Sequence, residues 1–399
     1  MAHILLCWEL GAGLGHAARL KALAQPLLAR GHRVSFALRD LVHAGRLLAG
    51  LDVPIYQAPL WLHRVQGLPP DQAGLAEILL ACGWIDPGAI AALAGGWRSL
   101  LRACAPDLVV ADYAPCAVLA ARTLGISSCV VGTAFQMPPA AAPLPPLRDW
   151  EAAPAQRLAA AEARVLDSAN RVLAAHGAAP LAHAASLLLG DAPLLCGWPE
   201  LDPWRRPPGG VRWFGPVIAP AAATAIAPAW PGGDGPRVFA YLRGPHPEHA
   251  AMLAALARAG CRTLCYLPEV AGGKAAPFVH ASIAWARAPV ALDAALAQAA
   301  FVVCHAGEST VAQALLAGRP LLMLPQTAEA FLTARRVCEL GAGINVNALA
   351  RPRDWDGIVG GLLGQAGWCA AAQEFAGRHA GFDAAGQARV LAAAIEETG

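Results

Sequence analysis

Charge is scarce in this 399-residue sequence: Asp, Glu, Lys and Arg make up 15% of it and nearly cancel, leaving a net charge of +2. So small an imbalance offers no basic field for nucleic acid and no acidic tail. Hydrophobic residues reach 56%, yet long uninterrupted apolar runs are missing. Pro, Gly or a charge breaks each run before about eighteen residues, the length a spanning helix needs. The stretch VIAPAAATAIAPAW from Val217 is one example. No transmembrane segment is expected, while peripheral membrane contact stays open. The N-terminus lacks a basic stretch, so His3 to Trp8 reads as a first strand rather than a signal peptide. The eleven cysteines form no C-x-x-C pair, the two nearest being Cys261 and Cys265. Cys7, Cys129 and Cys304 sit inside apolar runs, as reduced thiols acting as small hydrophobes do. These absences together predict a cytoplasmic protein.

What is present points to parallel sheets. The length favours two domains, and Phe301 to Gly343 reads as one βαβ unit. Ala300 to Cys304 is a buried strand, followed by the polar turn His305-Ala306-Gly307-Glu308-Ser309-Thr310. Val311, Ala314 and Leu315 then recur at helical spacing up to Gly318. Arg319-Pro320 ends the helix, and Leu321 to Leu324 is a second strand. A helix that opens after such a turn presents unpaired N–H groups, two hydroxyls and an imidazole, which favours phosphate. Ser309 and Thr310 could equally serve as plain caps.

The first strand leads into Gly11-Ala12-Gly13-Leu14-Gly15-His16 and a helix bearing Leu20, Leu23, Leu27 and Leu28. Pro26 should kink that helix or end it early. Val34 to Leu38 is the next strand, with Asp40 after it. A dinucleotide site would need a third Gly where His16 stands, and a large ring there blocks the approach of a pyrophosphate. The Gly-rich turn can instead point His16 into a crevice beyond the strand ends. Asp107 to Ala111 is another strand. Asp112 at its carboxyl end faces the ligand crevice of an open α/β sheet or caps the next helix. Asp354-Trp355-Asp356 spells D-x-D, but its place at a helix start makes capping sufficient and no metal site is expected.

The sequence resembles the nucleotide-sugar glycosyltransferases of the GT-B fold, the UDP-glycosyltransferase family that includes macrolide-glycosyltransferase-like enzymes. His305, Gly307, Thr310, Gly318, Pro320 and Pro325 fall where that family has its donor-binding motif, and Arg287-Ala288-Pro289 where it has Trp-x-Pro. The resemblance implies an α/β protein of two Rossmann-like domains facing a central cleft. It implies an acceptor domain over 1–216, a linker over 217–235, a donor domain over 236–380, and a C-terminal helix over 381–399 packing back on the first domain. It further implies inverting, metal-independent transfer of a hexosyl group from a UDP- or dTDP-sugar to a small-molecule or lipid acceptor, with no cofactor. By the same resemblance, His16 would be the general base and Asp112 its partner. Gly15, Arg243, Arg287, Val290, His305, Gly307, Ser309, Thr310, Gln313 and Glu329 would bind the donor. Trp61, Trp84, Phe135 and Met137 would line the acceptor pocket.

Three positions depart from the family pattern. Gln313 stands where many relatives have the Glu that accepts both ribose hydroxyls, and Ala330 replaces a Gln that contacts the sugar. Arg287 replaces the base-stacking Trp, a role that the guanidinium or Trp285 could take. A non-catalytic GT-B partner or a sugar-nucleotide epimerase are the other readings. The first leaves His16 and Asp112 as coincidence, and the second lacks clustered carboxylates beyond Glu329.

Overall fold

The first strand, β1 (His3–Trp8), is buried along its whole length, as a parallel strand covered on both faces must be. The computed structural model describes residues 1–151, 154–218 and 224–399. In chain order β1 is followed by α1 (Gly15–Ala29), β2 (Arg33–Leu38), α2 (Leu41–Leu48) and β3 (Ile55–Gln57). Next come α3 (Leu75–Leu79), α4 (Pro87–Cys104), β4 (Leu108–Asp112), α5 (Pro115–Leu124) and β5 (Ser127–Gly132). Helices α6 (Ala155–Ala175) and α7 (Ser186–Leu189) and strand β6 (Ala192–Leu195) complete a parallel sheet of order β3-β2-β1-β4-β5-β6. The chain leaves β1 to one side through β2 and β3, then returns to the other through β4. The crevice between the carboxyl ends of β1 and β4 is therefore the switch point, where open α/β sheets bind ligands.

A second sheet repeats this logic. Its elements are β7 (Arg237–Tyr241), α8 (His249–Arg258), β8 (Arg262–Tyr266), α9 (Pro268–Ala271), β9 (Ile283–Trp285), α10 (Leu292–Gln298) and β10 (Phe301–Cys304). They continue with α11 (Glu308–Leu316), β11 (Leu321–Met323), α12 (Ala328–Glu339), β12 (Gly343–Asn345), α13 (Trp355–Gly364) and α14 (Ala366–Arg378). The order β12-β11-β10-β7-β8-β9 puts the switch point between β7 and β10. Met1–Ala219 with Asp383–Gly399 forms one compact unit and Pro220–Phe382 the other. Within the expected linker, residues 219–223 lie outside the described residues.

The last helix, α15 (Ala384–Glu396), belongs to the first unit. Its Leu391, Ala392, Ala394 and Ile395 join a core cluster with Leu20, Leu23 and Leu27 of α1. Gln387 donates to the carbonyl of Gly215 at 3.1 Å. Among the described residues no single helix is long and apolar enough to cross a membrane; Leu75–Trp84 and Pro87–Cys104 qualify only as a pair bent by 79°.

Of the two outcomes expected at Pro26, an early end does not occur: α1 runs on to Ala29. The missing N–H falls in the last turn, while burial of Leu27 holds that turn against the core. Helix α7 is only four residues long and stops at Gly190, which has φ of 60°.

Candidate active site

In the first unit the residues at the β1/β4 switch point meet as a hydrogen-bonded group. His16, on the first turn of α1, places Nδ1 2.8 Å from Oδ1 of Asp112, the last residue of β4. Asp112 is fully buried and His16 is 8% exposed. Asp112 does not cap α5, whose N-cap is Ala114. Arg19, one turn beyond His16, donates to Oδ2 of the same carboxylate at 2.6 Å. Burial pushes the Asp112 carboxyl up, but the Arg19 charge, then His16, outweigh it and hold the group below the usual carboxylate range.

The His16 ring is boxed in by the Gly-rich turn. Trp8 stacks on it with centroids 5.3 Å apart and planes 17° apart. On its other edge, a Cβ at Gly11 would stand 2.5 Å from Nε2. Gly11 also has φ of 80°, so both space and backbone call for glycine there. The two loops are stitched together: Leu10 N–H donates to the Tyr113 carbonyl at 2.9 Å. Glu9 accepts from the Cys116 amide at 2.9 Å, on the first turn of α5. Burial raises the Glu9 carboxyl to about 7 despite that bond. Asp40, the ribose acid of a dinucleotide reading, instead caps α2 through His43 N–H at 3.0 Å.

The four expected acceptor residues differ in burial. Trp84 and Met137 are fully buried. Trp61 packs on the face of Gly83, where a Cβ would lie 2.7 Å from its ring. Phe135 stacks on Trp204 at 6.4 Å, and Arg206 donates to the Met137 carbonyl, which clamps the turn after β5.

In the second unit, the turn after β10 has the form of an anion site. Gly307 is the N-cap of α11, with no side-chain cap bond, so neither Ser309 nor Thr310 caps the helix. Ala306 takes the left-handed φ of 60°. His305 lies against the helix start, its Nε2 2.9 Å from where a Gly307 Cβ would be. Its buried Nδ1 has no hydrogen-bond partner among the described residues. Burial, then the nearby Arg243, push the imidazole down to about 4, so at neutral pH it is a neutral N–H donor. Arg243 follows β7 on the other side of the switch point, and its carbonyl accepts from Gln326 at 2.6 Å.

Gln313 bonds back along α11, its amide donating to the Ser309 carbonyl at 3.1 Å and hydroxyl at 3.2 Å. Its carboxamide oxygen is thus the acceptor on offer. Thr310 is buried, Glu329 is half-buried at the start of α12, and Arg287 is exposed. Val290 lies in a loop pinned by a bridge to Ile226. The Trp285 indole donates to the Phe278 carbonyl at 3.1 Å and its ring packs against the core. Asp354 caps α13 through Gly357 N–H at 2.9 Å. Asp356 pairs with Arg258 at 2.8 Å. Both acids of the D-x-D are thus committed within the fold. Sequence reasoning missed Arg19 and Glu9. The i, i+3 spacing of Arg19 from His16 was a usable signal; the partner of Glu9, on a distant helix, left none.

No family model matches the sequence. A curated relative, the PGL/p-HBAD biosynthesis glycosyltransferase of Mycobacterium tuberculosis, is 26% identical over 352 residues, 84% of this chain and 78% of the relative. Among solved structures, the glycosyltransferase of kitacinnamycin aligns with a TM-score of 0.70 at 19% identity, covering 100% of this chain and 98% of that one. The spinosyn rhamnosyltransferase SpnG, complexed with spinosyn aglycone, aligns with a TM-score of 0.66 at 22% identity over 98% of this chain and 100% of that one. VinC, in complex with dTDP, aligns with a TM-score of 0.63 at 17% identity over 100% of both chains. The chain has the GT-B fold and is similar, over most of its length, to glycosyltransferases that share it.

Proposed function

We propose that the protein transfers a hexosyl group from a UDP- or dTDP-sugar to a hydroxyl of a hydrophobic small-molecule or lipid acceptor, with inversion and without a metal. The observation that carries this reading is the buried His16–Asp112 hydrogen bond of 2.8 Å at the switch point of the first sheet. His16 Nε2 takes the acceptor proton as the acceptor oxygen attacks the anomeric carbon. The bond from that carbon to the diphosphate oxygen breaks with its electron pair, and the nucleoside diphosphate leaves. Asp112 orients the imidazole and stabilises the imidazolium, which later loses its proton to water. The N-terminus of α11, with Thr310, neutral His305 and Arg243, receives the negative charge that develops on the leaving group. The relatives' names support the two substrate classes: one was solved with dTDP and another with a spinosyn aglycone. A non-catalytic partner protein would leave the dyad without a task.

The test is nucleotide release against UDP- and dTDP-sugars, with and without hydrophobic hydroxylated acceptors. His16→Ala is expected to fold and to keep its nucleotide affinity while transfer falls by about 10²–10⁴. Transfer at the parental rate would remove His16 from the mechanism. Activity is expected to survive EDTA, because Asp354 is a helix cap and Asp356 an ion-pair partner. Loss on chelation with recovery in Mg²⁺ or Mn²⁺ would return those acids to the reaction.

A further inference from the structure

The carboxylate of Asp112 is shared between two bases, and only one of them belongs to the dyad. A fully buried carboxylate with only an imidazole beside it is costly to keep ionised. The Arg19 guanidinium supplies a whole opposite charge at 2.6 Å from Oδ2, in a site where both side chains are nearly closed to solvent, 12% and 0% exposed. It also occupies one oxygen, so His16 meets the other in a single geometry. Both partners ride on one helix face, three residues apart, while the acid is fixed by the end of a central strand. The ring is held by Trp8 on its face and by Asp112 at Nδ1, and Nε2 lies on the Gly11 edge.

We infer that Arg19 is a positioning residue of the transfer reaction: by holding Oδ2 of Asp112 it turns Oδ1 onto His16 Nδ1 and so sets the ring with Nε2 ready for the acceptor proton. The kinetic part of this inference rests on the glycosyl-transfer reading; the structural part, the control of His16 through Asp112, does not.

The experiment compares Arg19→Met, Arg19→Lys and Asp112→Asn, with the double variant of Arg19→Met and Asp112→Asn. Arg19→Met is expected to lower kcat by about 10–100-fold, the scale of a misplaced catalytic group, with KM for donor and acceptor nearly unchanged. Arg19→Lys, which keeps the charge, restores most of that loss. In the Asp112→Asn background, Arg19→Met costs less than about twofold further, because both act through one carboxylate. Spectra of ¹⁵N-histidine-labelled protein give a readout without turnover. The hydrogen-bonded Nδ1–H of His16, identified by its loss in His16→Gln, is expected to shift or vanish in Arg19→Met and persist in Arg19→Lys. If Arg19→Met fails to fold, Arg19→Gln carries the same comparison. An unchanged His16 signal without the arginine overturns the inference. So does an equal kinetic loss with and without Asp112, which would mean direct action on substrate. If no donor and acceptor pair reacts, the transfer reading fails while the spectra still decide the role of Arg19.

Discussion

At the scale of single residues, the candidate chemistry depends on how closely groups can approach. Gly11 is the sharpest case, because a Cβ there would lie 2.5 Å from His16 Nε2. Gly11→Ala forces a side chain into a backbone with φ of 80° and crowds the one atom needed for proton transfer. The expected result is a folded protein, about 1–2 kcal/mol less stable, whose kcat falls about 10–100-fold and whose nucleotide affinity stays unchanged. Denaturation, transfer kinetics and nucleotide titration measure the three parts; parental kcat would show that Nε2 faces another way. Much of this residue-level picture was legible beforehand. A G-x-G-H turn after an apolar strand and an acid at the end of another point to one crevice by the rules of open sheets. The burial of individual tryptophans was not legible. Tryptophans attract notice in a sequence as ligand contacts, but Trp84 lies entirely inside the core, and nothing in its local spacing distinguishes the two fates.

At the scale of elements, strands and helices were read well where hydrophobic period and Gly or Pro punctuation agreed, as through β10, α11 and β11. At Pro26 one of two local outcomes, an early helix end, gave way to tertiary burial of Leu27. What joins the elements is less visible, and Glu9 illustrates it by tying the loop after β1 to the start of α5. Its carboxyl, ordinarily near 4.5, is raised by burial to about 7. The folded protein therefore binds more protons than the unfolded chain between those values, so stability falls as pH rises through them. The proton-linked contribution is fully present below about pH 4.5 and lost above about 7. Glu9→Gln keeps the acceptor for the Cys116 amide without the ionisation. Its stability relative to the parent should improve by about 2–3 kcal/mol between pH 5 and pH 8. Denaturant unfolding at both pH values measures this, and a pH-independent difference would show that Glu9 remains ionised throughout.

At the scale of the whole molecule, chain order and unit membership part company. Residues from Asp383 onward belong to the first unit, where Leu391 and Ile395 are fully buried against α1. Leu391→Ala should destabilise that unit by about 2–5 kcal/mol while nucleotide affinity at room temperature is retained. Calorimetry with nucleotide titration tests the pair of outcomes, and an unchanged unfolding profile would mean that α15 adds nothing to the first unit. Two parallel α/β sheets, a Gly-rich turn presenting His16 and a helix N-terminus suited to phosphate were determined by the sequence alone. Each is encoded by residues within one or two elements: period 2 or 3.6, a glycine for positive φ, a proline or glycine to stop a helix. Only the tertiary structure decided that Asp112, ninety-six residues from His16, gives one oxygen to it and the other to Arg19. It alone decided that Glu9 anchors α5, that Trp84 is core, and that the D-x-D acids are spent on a cap and an ion pair. Those outcomes are contacts between residues distant in the chain, and local spacing carries no record of which distant groups will be brought within hydrogen-bond range.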